Sequence, residues 1–395
     1  MTVTPTSERS RGPASSLMVG NAVGSSSGGP GSGDVQGSPD GWGSGGAGWE
    51  GSPPASRQRW WNFEQMLPRG LTVAVWIPLV AIVLLVVVLV VKAVPAIRFN
   101  GLHFFTSDAW DTGASYGSVV TTGGVRHFVG ASYGVLPLVV GTLVSSAIAI
   151  ALAVPIGIAT ALVIVEKLPM RVSSGVGFCL EVLAGVPSAV YGIWGVLTFG
   201  PWLAHHIDGP IARNMPDVPV LRWFRGAGPH DVVGQGQDLL TGGLILTIMI
   251  LPIIAATTRD LLRQVPRATV EGATALGMTD AEAVNTVTLR WVRSGVIGAS
   301  MLGLGRALGE TIMVAMVGGA LLGSSPHSIF GAFNTIAAVI VTQLEGALSD
   351  PTGLEVGTLA EIALVLLVIS LAANVIARWL VQRGAGTALP VGRGI

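Results

Sequence analysis

The chain has 395 residues, of which half are apolar and 11% are charged, with 22 basic and 22 acidic side chains. A soluble domain of this length needs more surface charge than this, so the composition indicates an integral membrane protein. The balanced charge, with Lys92 and Lys167 as the only lysines, excludes a nucleic-acid-binding surface.

The first 59 residues differ in composition from the rest of the chain. They are rich in Gly, Ser and Pro, with runs such as Gly-Ser-Ser-Ser-Gly-Gly-Pro at 24–30. Such a segment buries too little apolar surface to offset the conformational entropy that folding removes. It also lacks the order of basic, apolar and small residues that marks a cleaved signal peptide. We therefore predict a disordered tail over residues 1–59.

Six apolar runs follow the tail, and each is long enough at about 1.5 Å per residue to cross a hydrocarbon core of roughly 30 Å. They predict an all-α integral membrane protein whose transmembrane domain covers residues 60–385, with a short tail at 386–395. The predicted spans cover about 71–92, 134–165, 174–200, 239–258, 294–321 and 355–380.

The even number of spans places both termini on one side of the membrane. Lys and Arg concentrate in the loops on that side, whereas the outer loop at 322–354 contains neither residue. Because cytoplasmic loops carry the excess of basic residues, both termini are predicted to be cytoplasmic. The other outer loops, about 95–133 and 201–238, are too short for independent domains and predict partly ordered caps.

The longest cytoplasmic loop, residues 259–293, has the signals of two short helices joined by a turn. Pro266 suits the first turn of one helix and Gly277 suits its left-handed C-terminal cap, while Thr279 and Glu282 predict a capping box that opens the next. An apolar stripe on the second helix predicts burial against the bundle or against a partner protein. Its members are Val284, Val287 and Trp291.

An arginine and a carboxylate interrupt the fifth predicted span, at Arg306 and Glu310. A charge inside the bilayer costs a few kcal/mol on insertion scales, so a chain that keeps one usually uses it on a substrate, ion or proton path. On a continuous helix the two residues would share a face, and a self-neutralising structural pair is the plain alternative. We favour a functional role, because leucine at both positions would suit a purely structural helix better. Glu181 and Glu361 also lie in or near predicted spans.

The cytoplasmic loop resembles the EAA loop of the binding-protein-dependent ABC importer permeases. The resemblance implies that the loop docks into an ATPase subunit. The family usually has Ala where this chain has Gly272, and often a proline where it has Arg290. The residues that would form the docking elbow are Glu271, Gly272, Ala273, Leu276 and Gly277.

Other segments are similar to the phosphate-specific ABC importer permeases of the PstC type, over about residues 71–380. After Glu310 and Thr311 the chain continues Ile-Met-Val, where the sister permease PstA typically has Ala-Pro-Leu. The segments that carry this resemblance are 105–111, 134–142, 155–157, 181–192, 250–254 and 305–313.

This resemblance implies the fold, the role and the partners. The fold would be a six-transmembrane-helix bundle of the type I ABC importer permeases. The chain would be a permease of an inorganic phosphate importer in the bacterial inner membrane, and would form the translocation path with a second permease of the PstA type. Two copies of a cytoplasmic ATPase subunit would bind ATP, and an external phosphate-binding protein would deliver the substrate.

The chain itself is expected to be a transport subunit rather than an enzyme. Neither lysine follows a glycine, so the sequence contains no phosphate-binding P-loop, and we predict no cofactor or metal bound by this chain. Under the same resemblance, Arg306 would donate charge-assisted hydrogen bonds to phosphate, and Glu310 would orient the guanidinium and limit how tightly the anion is held. Glu181 and Glu361 would belong to a secondary path or be structural.

Three other functions stay open at this point. A permease for another oxyanion, such as sulfate or molybdate, would share the elbow loop. An ion-coupled secondary carrier would need no ATPase and should show paired inverted repeats with broken helices. An intramembrane enzyme would need a nucleophile and a base at reactive spacing, which the sequence does not offer.

Overall fold

The computed structural model of the protein describes residues 55–113, 118–214, 223–224, 236–319 and 322–385, with side chains described from residue 75 to residue 383. Residues 1–69 and 70–395 form two separate units. Most of the predicted N-terminal tail, and the predicted C-terminal tail at 386–395, lie outside the described residues.

The described chain is almost entirely helical. Helices are interrupted or extended by a 3-10 turn at Gly101–Phe105 and by π turns at Val163–Lys167, Gly195–Phe199, Ala204–Asp208 and Val284–Thr288. The α-helices are α1 (Ala55–Asn100), α2 (Leu136–Leu162), α3 (Met170–Ala184), α4 (Ser188–Trp194), α5 (Gly200–Leu203), α6 (Gly209–Asn214), α7 (Leu239–Leu262), α8 (Arg267–Ala275), α9 (Asp280–Ala283), α10 (Leu289–Leu308), α11 (Ile312–Val317), α12 (Ile336–Leu348) and α13 (Leu354–Ala385).

Two small antiparallel sheets lie in the loop between α1 and α2. Strand β1 (Trp110–Asp111) pairs with β4 (Ser132–Tyr133), with Trp110 opposite Tyr133. Strand β2 (Val119–Thr122) pairs with β3 (Val125–Phe128) across a two-residue turn whose glycines both have positive φ, as a tight hairpin turn requires. The prediction of a partly ordered cap in this loop is therefore confirmed.

Four described helical segments are long and apolar enough to cross a membrane: Val75–Phe105, Leu136–Lys167, Leu239–Leu262 and Leu354–Arg383. The number rises to five if Met170–Ala184 and Ser188–Asn214, which meet at an angle of 89°, form one broken span. The six predicted spans are thus not confirmed, and the differences lie in the third and fifth.

The third predicted span, residues 174–200, is bent between Ala184 and Ser188. Proline lacks a backbone N–H and disfavours helical geometry in the residue before it, so the helix ends before Pro187, and Pro187 itself has an extended ψ of 137°. The Tyr191 hydroxyl donates a hydrogen bond of 3.1 Å to the Leu183 carbonyl across this bend. The bend is therefore fixed by a side chain as well as by the backbone.

The fifth predicted span, residues 294–321, is also not one helix. Helix α10 ends at Leu308 with Gly309 as its C-cap, and the short helix α11 begins at Ile312. The expectation that Arg306 and Glu310 share a helix face is therefore wrong, because Glu310 lies in the break. The predicted loop at 322–354 is likewise not a surface loop, since the segment from 331 to 339 is buried throughout and α12 follows within it.

Close backbone contacts hold this inward segment in place. Phe333 packs on Gly242 of α7, where a Cβ would overlap the ring. The Ile336 N–H donates to Thr142 Oγ1 of α2 at 3.0 Å, and the Phe333 N–H donates to the Gly318 carbonyl at 2.8 Å. The 13-residue α12 is apolar but too short to have been recognised as a span from sequence.

Helix α7 is the centre of the packing. In its most apolar stretch 67% of the residues are buried, against 6% in the apolar stretch of Val75–Phe105. The central cluster joins α7 to α2, α4, α11 and the segment around Phe333. A second cluster, called the sheet cluster here, joins the ends of α1 and α13 to α12 and the strands. Because the described side chains of α1, from Val75 onward, are mostly exposed and apolar, their surface suits contact with lipid.

Two buried carboxyl groups meet where α7 begins. Asp208 and Asp238 are both fully buried, and within the described part of the chain neither oxygen of Asp208 has a hydrogen-bond partner. Asp238 Oδ1 caps α7 by accepting the Thr241 N–H at 2.8 Å. Burial raises the pKa of Asp238 above the ordinary aspartate range, against the opposing effect of the hydrogen bonds from Thr241.

This pair predicts a pH-dependent stability. A carboxyl whose folded pKa is raised stabilises the fold fully below the unfolded aspartate pKa of about 4, and that contribution is lost as the pH rises through the folded value. Replacing Asp208 by Asn removes one charge and supplies a donor to Asp238. We expect Asp208→Asn to unfold about 1–2 °C higher than the wild type at pH 8, as a gain of about 1 kcal/mol gives at an unfolding entropy of about 2.1 cal/mol/K per residue.

The measurement is a set of thermal unfolding midpoints between pH 5 and pH 8. The exposed Asp280 provides the control, and Asp280→Asn should follow the wild-type curve. Identical pH slopes for Asp208→Asn and the wild type would contradict the conclusion that the buried pair of carboxyl groups makes the stability depend on pH.

Candidate functional site: a broken helix and a helical elbow

Arg306 lies in the last turn of α10, immediately before the break. Its side chain is half-buried, and its Nε is buried without a hydrogen-bond partner among the described residues. The described residues also place no carboxylate within ion-pair distance of its guanidinium. An arginine with unused donors in an apolar setting is suited to an anion that arrives from elsewhere.

Glu310 is held by backbone instead of by Arg306. It is buried, and its Oε1 accepts the N–H of Met313 in the first turn of α11 at 3.2 Å. A carboxylate in this position satisfies an N–H group that has no partner within the helix, and it interacts favourably with the helix dipole. The self-neutralising pair considered from the sequence is therefore not the arrangement in this structure.

The two helix breaks lie against each other. Helix α4 packs on α11 through Gly192, where a Cβ would come within 3.2 Å of the Met313 Cα. Tyr191, Ala307 and Met313 belong to the same central cluster, and Tyr191 lies within electrostatic reach of Arg306. Irregular backbone at membrane depth persists only where protein or a water-filled cavity surrounds it, so paired breaks are typical of a transport path.

The two faces of α10 near the break differ. Gly303 packs against α7, where a Cβ would lie 2.9 Å from the side chain of Ile254. On another face Leu302, Gly305 and Gly309 are exposed, and a Cβ on Gly305 would meet no atom within 4 Å. Gly303 thus lets α10 approach α7 closely, whereas Gly305 has no such neighbour among the described residues. The exposed face leaves room for a second protein beside Arg306.

Glu181 takes part in a different cluster, at the other end of α7. Arg259 is buried, and its guanidinium donates to Glu181 Oε1 at 3.1 Å and to Asp260 Oδ1 at 2.9 Å. The guanidinium crosses Gly177 of α3, where a Cβ would overlap it. Glu181 thereby links α3 to α7. This contact favours a structural role for Glu181 over a role in a secondary path.

Arg259 itself differs from its prediction as a loop residue. Helix α7 continues to Leu262, so the loop that was predicted to begin at 259 begins at Arg263. Arg259 is therefore a second cation, besides Arg306, that the described helices bury at least in part. The sequence signal was the pairing of Arg259 with Asp260 at the end of an apolar run, which allows a buried cation with a partner.

Glu361 lies in α13 and is buried. Its Oε2 accepts a hydrogen bond of 2.8 Å from the Asn100 side chain at the end of α1. Its neighbours Leu359 and Ile362 belong to the sheet cluster, whereas Ala307 beside Arg306 belongs to the central cluster. The structure thus gives Glu361 a contact that joins two helix ends and does not bring it to Arg306.

The elbow forms as the sequence predicts. Helix α8 ends in a complete Schellman motif, in which Gly277 has a φ of +89° and donates to Thr274, while the Met278 N–H donates to the Ala273 carbonyl. Thr279 and Glu282 then make both hydrogen bonds of the capping box that opens α9. The backbone N–H of Thr279, which donates to Glu282, lowers the pKa of that carboxyl.

The predicted docking residues lie at the tip of this elbow. Glu271, Gly272 and Gly277 are exposed, Leu276 is 84% exposed and Ala273 is buried. A groove of about 740 Å³ separates α8 from the turn between α2 and α3. Glu271 lines this groove, and Leu276 exposes a large apolar side chain on the structured turn that follows α8.

The apolar stripe after the elbow is only partly covered. Val284 and Val287 are half-buried, whereas Trp291 is 46% exposed. The stripe is therefore not fully buried against this chain. Trp291, at the exposed end of the stripe, is therefore accessible to a partner protein, which is one of the two alternatives that the sequence predicts.

Gly272 offers a direct test of the elbow. A Cβ at this position would meet no atom within 4 Å, and Gly in a helix interior costs about 1 kcal/mol relative to Ala. We expect Gly272→Ala to slow amide hydrogen exchange in α8 by about fivefold, measured by mass spectrometry on peptides that cover residues 267–276.

The matched control is the same chemical change at Gly277. Ala is strained at the positive φ of this position, so Gly277→Ala should accelerate exchange in the same peptides. Equal protection in the two variants would show that α8 does not form as described.

Comparisons with known proteins agree with this architecture. The family model described as "Binding-protein-dependent transport system inner membrane component" matches residues 153–385. The phosphate transport system permease protein PstC 1 of Mycobacterium tuberculosis is 58% identical over 319 residues, which are 81% of this chain and 93% of that protein. The phosphate transport system permease protein PstC of Pasteurella multocida is 36% identical over 275 residues, 70% of this chain and 83% of that protein.

Among solved structures, the MetNI methionine ABC transporter in an inward facing conformation aligns with a TM-score of 0.42 and 17% identity, over 63% of this chain and 96% of that chain. This likeness is too distant to define the fold. The sequence relatives and the family model are sufficient by themselves. The chain belongs to the binding-protein-dependent transport system inner membrane components, and within them to the PstC-type permeases.

Proposed function

We propose that this chain is the PstC-type permease subunit of an ATP-driven importer of inorganic phosphate, and that Arg306 contacts the anion during its passage. The observation that carries the site assignment is the guanidinium of Arg306, which has no partner among the described residues and lies at a helix break whose carboxylate, Glu310, accepts a backbone hydrogen bond. The identity of 58% to a phosphate transport permease supports phosphate as the substrate.

Arg306 contributes charge and donors, while Glu310 contributes geometry. A guanidinium binds a phosphate oxyanion through charge-assisted hydrogen bonds, and these are stronger in a site that excludes water. Glu310 caps α11 and so fixes the position of the break relative to Arg306. A half-exposed arginine also releases the anion more readily than a fully enclosed one, as a transport path requires.

A second permease of the PstA type would complete this path. The exposed face of α10 at Leu302, Gly305 and Gly309 supports this partner, because small residues let another helix approach closely. Two cytoplasmic ATPase subunits would bind the elbow and supply the energy from ATP. An external phosphate-binding protein would deliver the substrate on the opposite side.

The orientation follows from the same assignment. An elbow that docks to a cytoplasmic ATPase must face the cytoplasm, and the positive-inside rule places it there as well. With six spans, both termini would then be cytoplasmic. Helices α10 and α11 together would make the fifth span, broken at the site.

Phosphate uptake tests the role of Arg306. Methionine has a similar length without charge, so Arg306→Met should reduce uptake at equal membrane abundance by about 10- to 100-fold, as the loss of a hydrogen bond to a charged group predicts. Radiolabelled phosphate uptake into cells that carry no other phosphate importer provides the measurement.

Two variants make the result specific. Arg306→Lys keeps the charge and should retain part of the activity, whereas Arg378→Met, at an exposed arginine of α13, should transport like the wild type. Undiminished uptake by Arg306→Met would overturn the assignment. Competition by sulfate or molybdate at equal concentration would instead indicate a permease for another oxyanion, and uptake without ATP would indicate an ion-coupled carrier.

Copurification of the ATPase tests the elbow. Leu276 exposes a large apolar side chain, and burying such a side chain at an interface contributes about 1.5–3 kcal/mol. We expect Leu276→Asp to reduce the amount of ATPase subunit retained on the purified permease by at least about tenfold.

The control is Leu348→Asp, which changes a leucine that is 70% exposed at the end of α12 and should retain the ATPase. Equal retention in both variants would remove Leu276 from the docking surface. Because the Gly272→Ala variant tests the folding of α8 separately, loss of the interface can be distinguished from loss of the elbow.

A further inference from the structure

A basic groove lies at the start of α10, away from Arg306. It has a volume of about 340 Å³ and lies between α2 and the first turns of α10. Its polar side chains are two arginines and one amide, and the others are aliphatic. The lining residues are Ile158, Asn285, Leu289, Arg290, Arg293, Val296 and Ile297.

The charge in this groove is uncompensated. Arg290 and Arg293 are one turn apart on the same helix face, and both side chains are exposed. Neither arginine forms an ion pair or hydrogen bond with another described residue, and no carboxylate is among the described residues that line the groove. Two like charges without a counter-ion attract an anion.

The predicted fifth span, residues 294–321, would place the groove where helix α10 enters the membrane. Arg290 precedes Arg306 by about 24 Å at about 1.5 Å per residue, which is more than half the height of a hydrocarbon core of roughly 30 Å. Ile158 lies in the last part of α2, and Trp291, next to Arg290, is 46% exposed. Tryptophan and arginine at helix ends are typical of the interface between headgroups and acyl chains.

We propose that this groove binds one anionic phospholipid, with its phosphate on Arg290 and Arg293 and part of an acyl chain along Ile158, Val296 and Ile297. Basic pockets between transmembrane helices on the cytoplasmic side commonly bind anionic headgroups. Free phosphate makes no favourable contact with the aliphatic half of the groove, whereas the acyl chain of a lipid does. This half of the groove therefore favours a lipid over a soluble anion. The amide of Asn285 adds a neutral donor from the turn that leads out of the elbow.

The position gives this lipid a structural consequence. Asn285 belongs to the π turn Val284–Thr288, whereas Arg293 belongs to α10. A lipid that contacts both would hold the elbow at a fixed angle to the helix that carries Arg306. Lipid binding at this site is independent of the proposed phosphate path, since the two sets of residues do not overlap.

The test is native mass spectrometry of the intact importer complex, purified in mild detergent with added phosphatidylglycerol or phosphatidylcholine. We expect the wild type to retain phosphatidylglycerol in preference to phosphatidylcholine, and the double variant Arg290→Gln with Arg293→Gln to retain it at least about tenfold less. The double Arg→Lys variant should recover part of the retention, because it keeps the charge. Arg171→Gln removes an exposed arginine outside the groove and should behave like the wild type.

Three results would overturn the proposal. The first is equal retention of phosphatidylglycerol by the double Gln variant and by Arg171→Gln, with both complexes intact. The second is displacement of the lipid by millimolar inorganic phosphate, which would mark a small-anion site. The third is loss of the ATPase from the double Gln variant with lipid retention unchanged, which would assign the groove to that partner. Failure of Arg306→Met to reduce uptake would leave the lipid result unaffected.

Discussion

The hydrogen bond from the Met313 N–H to Glu310 is the interaction on which the arrangement of this protein depends. A helix that stops inside a membrane leaves N–H groups without partners, and each unsatisfied group costs several kcal/mol in an apolar medium. A buried carboxylate at the break supplies one of the missing acceptors. Because Glu310 is used in this way, Arg306 keeps its charge and its donors for a ligand, and one interruption of the backbone separates the two side chains that the sequence pairs.

Local signals predicted the elbow almost completely. Gly277, Thr279 and Glu282 act through neighbours at most five residues away, so their capping geometry does not depend on the rest of the fold. Segments whose conformation depends on distant packing were harder to predict. The bend before Ser188 and the end of α10 at Leu308 occur within apolar runs that satisfy every criterion of length and hydropathy. Proline at 187 and glycine at 309 were visible, but both residues also occur within continuous transmembrane helices.

The predicted site residues also differ in whether a local sequence signal or a distant contact determines their role. Arg306 was identifiable because a cation in an apolar run is rare whatever its surroundings, and the resemblance to PstC-type permeases named it independently. The partners of the carboxylates were not identifiable. Glu181 meets Arg259 across 78 positions of the chain and Glu361 meets Asn100 across 261, and no local pattern encodes contacts at such separations. Asp208 and Asp238 were missed for the same reason, although aspartate before an apolar run is a helix-cap signal that Asp238 fulfils.

The crossing of Arg259 over Gly177 limits which parts of the molecule are able to move separately. Helix α3 is held against α7 by a guanidinium that occupies the space where a larger side chain at Gly177 would be, and α4 is held against α11 by the close approach at Gly192. The three residues between α3 and α4 are therefore the hinge between these two helix pairs. If α11 tilts away from α7 while both of these contacts persist, the angle between α3 and α4 has to change at residues 185–187. The hydrogen bond from the Tyr191 hydroxyl to the Leu183 carbonyl, which crosses this bend, would then lengthen or break.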